Sequence, residues 1–348
     1  MLPHAASLET RAVWQALTEA HRYLAELKGL TESLPNGELL VDTLSLQEAK
    51  DSSEIENIIT THDELYASSN SSAATKEVQN YVTALRVGTA IVKKEGLIRL
   101  ATILAVQAKI EQNRAGLRKL PGTALKNQST GQVIYEPPQH PNDIERLMDD
   151  LIKFIHGDDD LVPLLRMAIA HHQFETIHPF YDGNGRTGRV LNLLMLQRDG
   201  LLDFPVLYLS RYITSTKADY YRLLQSTRET GEWAQWCVYM VRGVALTAKS
   251  EIGLIKALRD LMLDTKQNLR TVLPKIYSQE LLNNLFRYPY TKIEFVERDL
   301  SVSRITAARY LELLAQQKFV TKQKIGRDNF YINDPLYELL TSVSLPNE

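Results

Sequence analysis

One twelve-residue run concentrates the side chains able to move a phosphate-bearing group: His178-Pro179-Phe180-Tyr181-Asp182-Gly183-Asn184-Gly185-Arg186-Thr187-Gly188-Arg189. His178 can take a proton near neutral pH. Asp182 is a hard oxygen ligand suited to Mg2+. Gly183 and Gly185, on either side of Asn184, let the backbone fold tightly so that successive N–H groups face an anion. The apolar stretch 190–196 reads as a helix, which sets that loop at a positive helix N-terminus. Arg186 and Arg189 are three apart and share a face of the first turn, a spacing that suits phosphate oxygens. A lone Gly-Asn-Gly would be a turn and little else. A base, a carboxylate, an anion loop and two arginines together make a site for phosphate chemistry.

The run fits the Fic signature, His-Pro-Phe-x-(Asp/Glu)-Gly-Asn-Gly-Arg-x-x-Arg, at every fixed position, and the resemblance extends over about residues 35–245. Fic proteins are mostly adenylyltransferases. The resemblance implies transfer of AMP from ATP to a Ser, Thr or Tyr hydroxyl of a target protein, with Mg2+ on the phosphates. It implies that His178 is the general base, that Asp182 holds Mg2+, and that Gly183, Asn184 and Gly185 hold the anion. It sets Arg186 on the β-phosphate, Arg189 on the γ-phosphate, and Phe180 in a packing role. Kinase-type members depart from Gly-Asn-Gly-Arg, which this chain keeps.

Upstream, Ser52-Ser53-Glu54-Ile55-Glu56-Asn57 fits the family's inhibitory pattern (Ser/Thr)-x-x-x-Glu-(Gly/Asn), with Ser52, Glu56 and Asn57 in the fixed places. The resemblance implies that Glu56 reaches Arg189 and blocks the γ-phosphate site. By itself, Ser53-x-x-Glu56 is also a capping box at a helix start. Both readings stay open on sequence. Residues 122–136 read as a hairpin, with Ser129-Thr130-Gly131 as the turn and Pro137-Pro138 as the stop. The resemblance makes it a flap that holds a target segment by strand addition, with Ile134 as the pin. An ordinary hairpin covering the core, with Ile134 buried, is the competing reading.

Downstream, residues 207–213 and 219–224 resemble the adenine side of a Fic core. Tyr208, Tyr212, Tyr220 and Tyr221 are aromatic candidates there, and Tyr220 and Tyr221 are expected to line the pocket. Where many relatives carry an asparagine that reads adenine, this chain has Thr216, which offers only a hydroxyl. Choice of ATP over UTP or GTP is therefore less firmly specified than the transfer. Trp233 and Trp236 read as core. His171 and His172 are adjacent on a helix, point to different faces and make a poor metal pair.

The elements that must position these residues are mainly helical. Apolar spacing predicts helices at 8–28, 44–49, 54–66, 76–92, 97–112, 141–156, 161–176, 186–200, 215–228 and 232–265. A break is expected at 51–53, and 67–75 (Ala-Ser-Ser-Asn-Ser-Ser-Ala-Ala-Thr) reads as a flexible linker. From 276 the character changes. Helices at 277–286, 293–298 and 304–317 precede two strands around 326–329, an order that resembles a winged helix. Ser303 would cap the third helix, with Arg304 and Arg309 outward and Lys322, Lys324 and Arg327 on the wing. Nine Lys/Arg face six Asp/Glu over 276–333, so DNA is a weaker expectation than protein docking or a homodimer.

The expected fold class is therefore mainly α: a Fic helical core with a β-hairpin flap and a C-terminal winged-helix α+β domain. The expected divisions are 1–75 with an inhibitory helix at about 44–66, a core at 76–270, and a winged-helix-like domain at 276–340. With 348 residues the chain can bury a large core, and its formal charge of −2 argues against a general nucleic-acid coat. A single cysteine, Cys237, no apolar leader and no membrane-length run point to a cytoplasmic protein with no membrane association. Alternatives to AMP transfer are removal of AMP, transfer of another nucleotide, and a nucleotide-sensing winged-helix DNA-binding regulator.

Overall fold

A computed structural model of the chain describes residues 8–32, 37–61, 72–126, 130–325, 328–342 and 345. The helices that open the chain are α1 (Arg11–Glu32), α2 (Gly37–Ile55), α3 (Ala73–Glu95) and α4 (Leu100–Ile110). A hairpin of β1 (Leu125–Lys126) and β2 (Val133–Tyr135) follows, then α5 (Pro141–Ile155), α6 (Pro163–Ile177) and α7 (Asn184–Arg198). Next come α8 (Leu209–Ser215), α9 (Lys217–Thr230) and the long α10 (Trp233–Val272).

The motif joins the two helices that lie deepest. Twelve of the fifteen residues of α6 are buried, from Leu164 to Ile177, and α7 buries a nearly unbroken run from Arg186 to Leu196. A helix buried on all sides belongs in the middle of a bundle. α3, α5 and α10 supply the surrounding walls, and Trp236 Nε1 donates to Ala168 O at 2.7 Å to tie α10 to α6. By contrast α1 is amphipathic. Val13, Ala16, Leu17, Ala20, Leu24 and Leu27 form one stripe against α10.

α2 is held by polar side chains as well as apolar ones. Glu48 is buried and accepts from Tyr81 Oη at 3.1 Å, from Ser210 N at 3.1 Å and from Ser210 Oγ. Asp51 pairs with Arg211 at 3.0 Å. These contacts dock the second half of α2 on α3 and α8, and so aim Ser52 at the motif. Burial pushes the Glu48 carboxyl up to about 7, against the hydrogen bonds from Ser210.

The C-terminal segment consists of α11 (Gln279–Arg287), β3 (Tyr290–Thr291), α12 (Ile293–Leu300), α13 (Arg304–Gln316), β4 (Thr321–Ile325), β5 (Asp328–Ile332) and α14 (Asp334–Thr341). Its antiparallel sheet has the order β3-β5-β4, with Thr321 opposite Ile332 and Ile325 opposite Asp328. Ser303 caps α13 by accepting from Thr306 N at 3.3 Å, as its sequence position implies. Arg327 and Gly326 of the turn lie outside the described residues.

Several expectations change. α2 runs unbroken through 51–53, because Ser52 and Ser53 are buried in its last turn and do not interrupt it. The helix then ends at Ile55, so an inhibitory helix reaching about 66 is not formed; 56–61 is turn and coil, and 62–66 lies outside the described residues. Of the linker 67–75, residues 67–71 are likewise outside, while Ser72 caps α3 by accepting from Thr75 N at 3.1 Å and 73–75 are its first residues. The hairpin strands are shorter than 122–136. The stretch 209–215 forms the separate helix α8, and β3 and α14 had no distinct sequence signal. Among the described residues no helix is long and apolar enough to cross a membrane.

Candidate active site

His178 is the C-cap of α6, in left-handed backbone conformation with φ 48°. That conformation is costly for a residue with a Cβ and marks a position held by its surroundings. Arg118 does the holding. It is buried; its Nε donates to His178 O at 2.8 Å, an Nη2 bond reaches Ile177 O at 3.4 Å, and its backbone N donates to Pro179 O at 2.9 Å. Nη2 also bonds Pro138 O at the far end of the hairpin. One guanidinium thus ties both feet of the hairpin to the backbone that carries His178. Burial, and next the Arg118 charge, depress the His178 pKa to about 4, while Glu56 acts in the opposite direction. The imidazole is neutral at pH 7 and able to accept a proton.

The loop that follows is shaped by Asn184 and Gly183. Asn184 Oδ1 accepts from Phe180 N at 2.8 Å, and its Nδ2 donates to Phe180 O at 2.9 Å. The amide is buried in this two-way staple, so Asn184 sets the loop's shape through its side chain. Phe180 is fully buried and packs on Phe174. Gly183 is left-handed at φ +76°, just before α7 begins. Gly185 is not a turn glycine: it lies in the helix, and a side chain there would run into Glu56 Oε1 and Arg189 Nη1. The two glycines serve different needs, one conformation and the other close approach. Asp182 is exposed beside them, with Oδ1 accepting from Gly183 N at 2.7 Å.

Arg189 is buried and donates to three oxygens of Ser52 and Glu56. Nε donates to Ser52 Oγ at 2.8 Å, and Nη2 donates to Ser52 O at 2.8 Å and to Glu56 Oε1 at 2.9 Å. For Glu56 burial would raise the carboxyl pKa, but the Arg189 charge and hydrogen bond outweigh it and hold the group below its usual value. Burial likewise opposes the charge on Arg189, and Glu56 more than offsets it.

Residues 53–58 form a helix C-terminus, which excludes the capping-box reading. Asn57 N donates to Glu54 O at 2.9 Å and Ile58 N to Ser53 O at 3.0 Å, with Asn57 left-handed at φ 61°. This is the Schellman arrangement, and it accounts for Gly or Asn as the last residue of the pattern. Glu56 is thereby projected from the helix end toward Arg189.

Arg186 is also engaged. Nη1 pairs with Glu77 Oε2 at 2.6 Å and Nη2 with Glu111 Oε1 at 2.7 Å. Burial raises the Glu111 pKa; Arg186 opposes that, and the neighbouring Asp182 and Glu77 charges reinforce it. Sequence reading missed Glu77 and Glu111, which stand 109 and 75 residues from Arg186. It also missed Arg118 and Glu175. Glu175 is a buried carboxyl pushed up to about 7 by burial, beside Gly188.

The aromatic candidates separate. Tyr220 is buried, with its hydroxyl bonded to His171 Nε2 at 2.9 Å, whereas Tyr221 is half-exposed. The Thr216 hydroxyl meets Tyr212 O at 2.7 Å and Tyr239 Oη at 2.8 Å, so it is committed to helix packing. His172 bonds Leu224 O at 3.1 Å. Ile134 and Val133 on the hairpin are each 49% exposed, so this hairpin does not bury Ile134 in the core. Leu120 and Tyr181 are exposed alongside, and Tyr181 Oη accepts from Lys119 N at 2.9 Å and Leu120 N at 3.1 Å.

Three family models match in succession: the Fic/DOC family N-terminal region over residues 14–90, the Fic/DOC family over 97–196, and the C-terminal domain of SoFic-like protein adenylyltransferases over 261–336. The chain belongs to the Fic/DOC family. A protein adenylyltransferase of Caenorhabditis elegans is 30% identical over 130 residues, 37% of this chain and 24% of that protein. A probable protein adenylyltransferase of Aquifex aeolicus is 26% identical over 184 residues, 52% of this chain and 56% of the relative. The chain's matches thus span about a quarter to about half of these relatives' lengths. Among solved structures, a Fic family protein from Desulfovibrio desulfuricans shares the fold across 95% of this chain and 98% of its own, with a TM-score of 0.60 at 17% identity. The Fic protein of C. elegans covers 72% of this chain and 74% of its own, with a TM-score of 0.54 at 22% identity.

Tyr181→Phe removes the acceptor of two backbone N–H groups at the hairpin's entrance. Loss of a neutral hydrogen bond worth about 1 kcal/mol speeds amide exchange at Lys119 and Leu120 roughly fivefold, with little change in melting temperature. Unchanged exchange at both amides would contradict this anchoring.

Proposed function

We propose that this Fic protein transfers AMP from ATP to a hydroxyl side chain of a target protein, and that Glu56 restrains the reaction through Arg189. The observation that carries the proposal is His178 at the C-cap of α6, followed within one short loop by the Gly183 N-cap of α7 and by the buried Arg186 and Arg189 in its first turns. In the reaction the target oxygen attacks the α-phosphorus while the bond to the bridging oxygen breaks. Pyrophosphate leaves, and His178 takes the hydroxyl proton.

The loop N–H groups and the α7 N-terminus receive phosphate oxygens, and Arg186 and Arg189 pair with the β- and γ-phosphates. Gly183, Asn184 and Gly185 keep the loop in that shape. Asp182 fits Mg2+, since its carboxylate is exposed at the loop and Mg2+ is usually held by one or two carboxylates plus substrate phosphates. When bound there, Mg2+ supplies charge neutralisation on the departing pyrophosphate. Tyr221, half-exposed within the electrostatic reach of Arg189 and Glu56, is assigned to the base of the nucleotide. The target's extended segment lies along the hairpin edge, with Ile134 and Val133 as apolar contacts and the main chain giving register. Cytoplasmic residence belongs to the same reading, and a buried lone Cys237 suits a reducing compartment.

Restraint follows from the charge on Arg189. With Glu56 on Nη2 and Ser52 on Nε, the guanidinium is withheld from a γ-phosphate, and ATP binds with its α-phosphate out of line. The DNA-binding alternative gains no support from these ion pairs of the C-terminal segment: Lys322 on β4 pairs with Glu312, and Arg287 of α11 and Arg298 of α12 both reach Asp299.

Glu56→Gly therefore raises self-labelling from α-labelled ATP. Relief of a misalignment of about 2–3 kcal/mol corresponds to a gain of roughly 30- to 150-fold. Equal labelling of parent and variant would sink the restraint.

The pH profile tests the base. A histidine depressed to about 4 stays in its base form down to about that pH, so transfer by Glu56→Gly at subsaturating ATP holds level from pH 8 to about 5 and falls below that. Removing Glu56 takes away a charge that raises this pKa, which moves the limb further in the acid direction. A midpoint near 6.5 would contradict the assignment of His178 in this environment.

A further inference from the structure

Each glycine of the anion loop lies under a carboxylate. Glu56 Oε1 rests against Gly185 and bonds Arg189. On the other side, a Cβ built on Gly183 would stand 2.5 Å from Glu111 Oε1, the same oxygen that accepts from Arg186 Nη2 at 2.7 Å. Gly183 is the left-handed N-cap of α7, so the space beside it lies at a helix N-terminus, where an anion would arrive. A carboxylate oxygen over that glycine, paired with a motif arginine, has the chemistry of a phosphate oxygen in the same place.

The partners of Arg186 sharpen the point. Both its Nη atoms are taken, Nη1 by Glu77 and Nη2 by Glu111, while its buried Nε has no hydrogen-bond partner. A phosphate that engages Arg186 through Nη2 must displace Glu111. Glu77 occupies the other nitrogen and can keep the guanidinium in place during that exchange. Glu111 stands just past α4, where its backbone N donates to Gln107 O at 2.9 Å, so a change of side-chain rotamer would clear the loop without moving a helix.

We propose that Glu111 is a second carboxylate plug, closing the Gly183–Arg186 half of the anion loop as Glu56 closes the Gly185–Arg189 half. This rests on the reading of the loop as a phosphate site. A polyphosphate then displaces two carboxylates, one from each arginine, and removing Glu56 alone leaves half of the loop covered. Because each plug has its own arginine and its own glycine, their effects on anion affinity multiply.

The test is calorimetric binding of metal-free pyrophosphate to the purified full chain as parent, Glu111→Gln, Glu56→Gly and the pair. Glu111→Gln preserves size and can still accept from Arg186, which protects the fold, and Glu111→Ala gives the same sign if the amide holds on too well. Loss of one competing charge at ion-pair distance tightens pyrophosphate by roughly tenfold, and the double variant tightens it by about the product of the single effects. Unchanged affinity in both Glu111 variants overturns the proposal. So does weaker affinity, which follows if Glu111 instead holds Arg186 in its binding pose. AMP transfer plays no part in this readout, so a chain that never labels a protein would still show whether Glu111 plugs the loop.

Discussion

A guanidinium buried at the centre of a helical bundle has to be satisfied, and the Arg189 charge is the constraint on which the site is organised. Leaving it without a partner would cost several kcal/mol. The chain meets the requirement from α2 and the turn that follows it, through the hydroxyl and carbonyl of Ser52 and the carboxylate of Glu56. The same requirement can be met by a phosphate, which is also anionic and accepts hydrogen bonds in the same geometry. In the proposed function, restraint and substrate binding are therefore two solutions to one desolvation problem. The geometry around Arg189 favours exchange over coexistence, because Glu56 already lies against Gly185.

Positioning that exchange takes the rest of the fold. The Glu48 contacts with Tyr81 and Ser210, and the Asp51–Arg211 pair, fix α2 so that Ser52 faces inward. The Schellman turn at Asn57 then stops the helix so that Glu56 projects from its end. Across the loop, Arg118 joins the hairpin's two feet to the carbonyl of His178. The surface that would receive a target and the base that would deprotonate it thus share a single buried anchor. In the proposed function these hydrogen bonds link the place where a target docks to the backbone that carries the base.

The legible parts of the sequence were those encoded by local pattern. Period-3.6 apolar spacing located most helices of the bundle, and Pro, Gly and capping residues gave many of their ends. The candidate motif residues stand out because they lie within one twelve-residue run, and Ser52, Glu56 and Asn57 because a short pattern carries them; the structure brings Ser52 and Glu56 onto Arg189. The rest depends on distant pairing. Nothing near Arg118, Glu77 or Glu111 announces a partner 60 to 109 residues away. Glycine roles were only half legible, since Gly183 and Gly185 look alike in sequence while one is needed for its φ and the other for space. The break expected at 51–53 failed for a tertiary reason: Asp-Ser-Ser is a poor helix segment alone, but here Asp51 has Arg211 and Ser52 has Arg189.

The proposed restraint requires that Glu56 act through Arg189 and not through helix stability or general charge. A double-mutant cycle measures that directly: α-labelled transfer by the parent, Glu56→Gly, Arg189→Ala and the double variant, with ATP and Mg2+ held constant. If the pair is the switch, the gain from Glu56→Gly disappears in the Arg189→Ala background, where labelling with or without Glu56 becomes nearly equal. A gain of the same size in both backgrounds would contradict the account and place the action of Glu56 elsewhere.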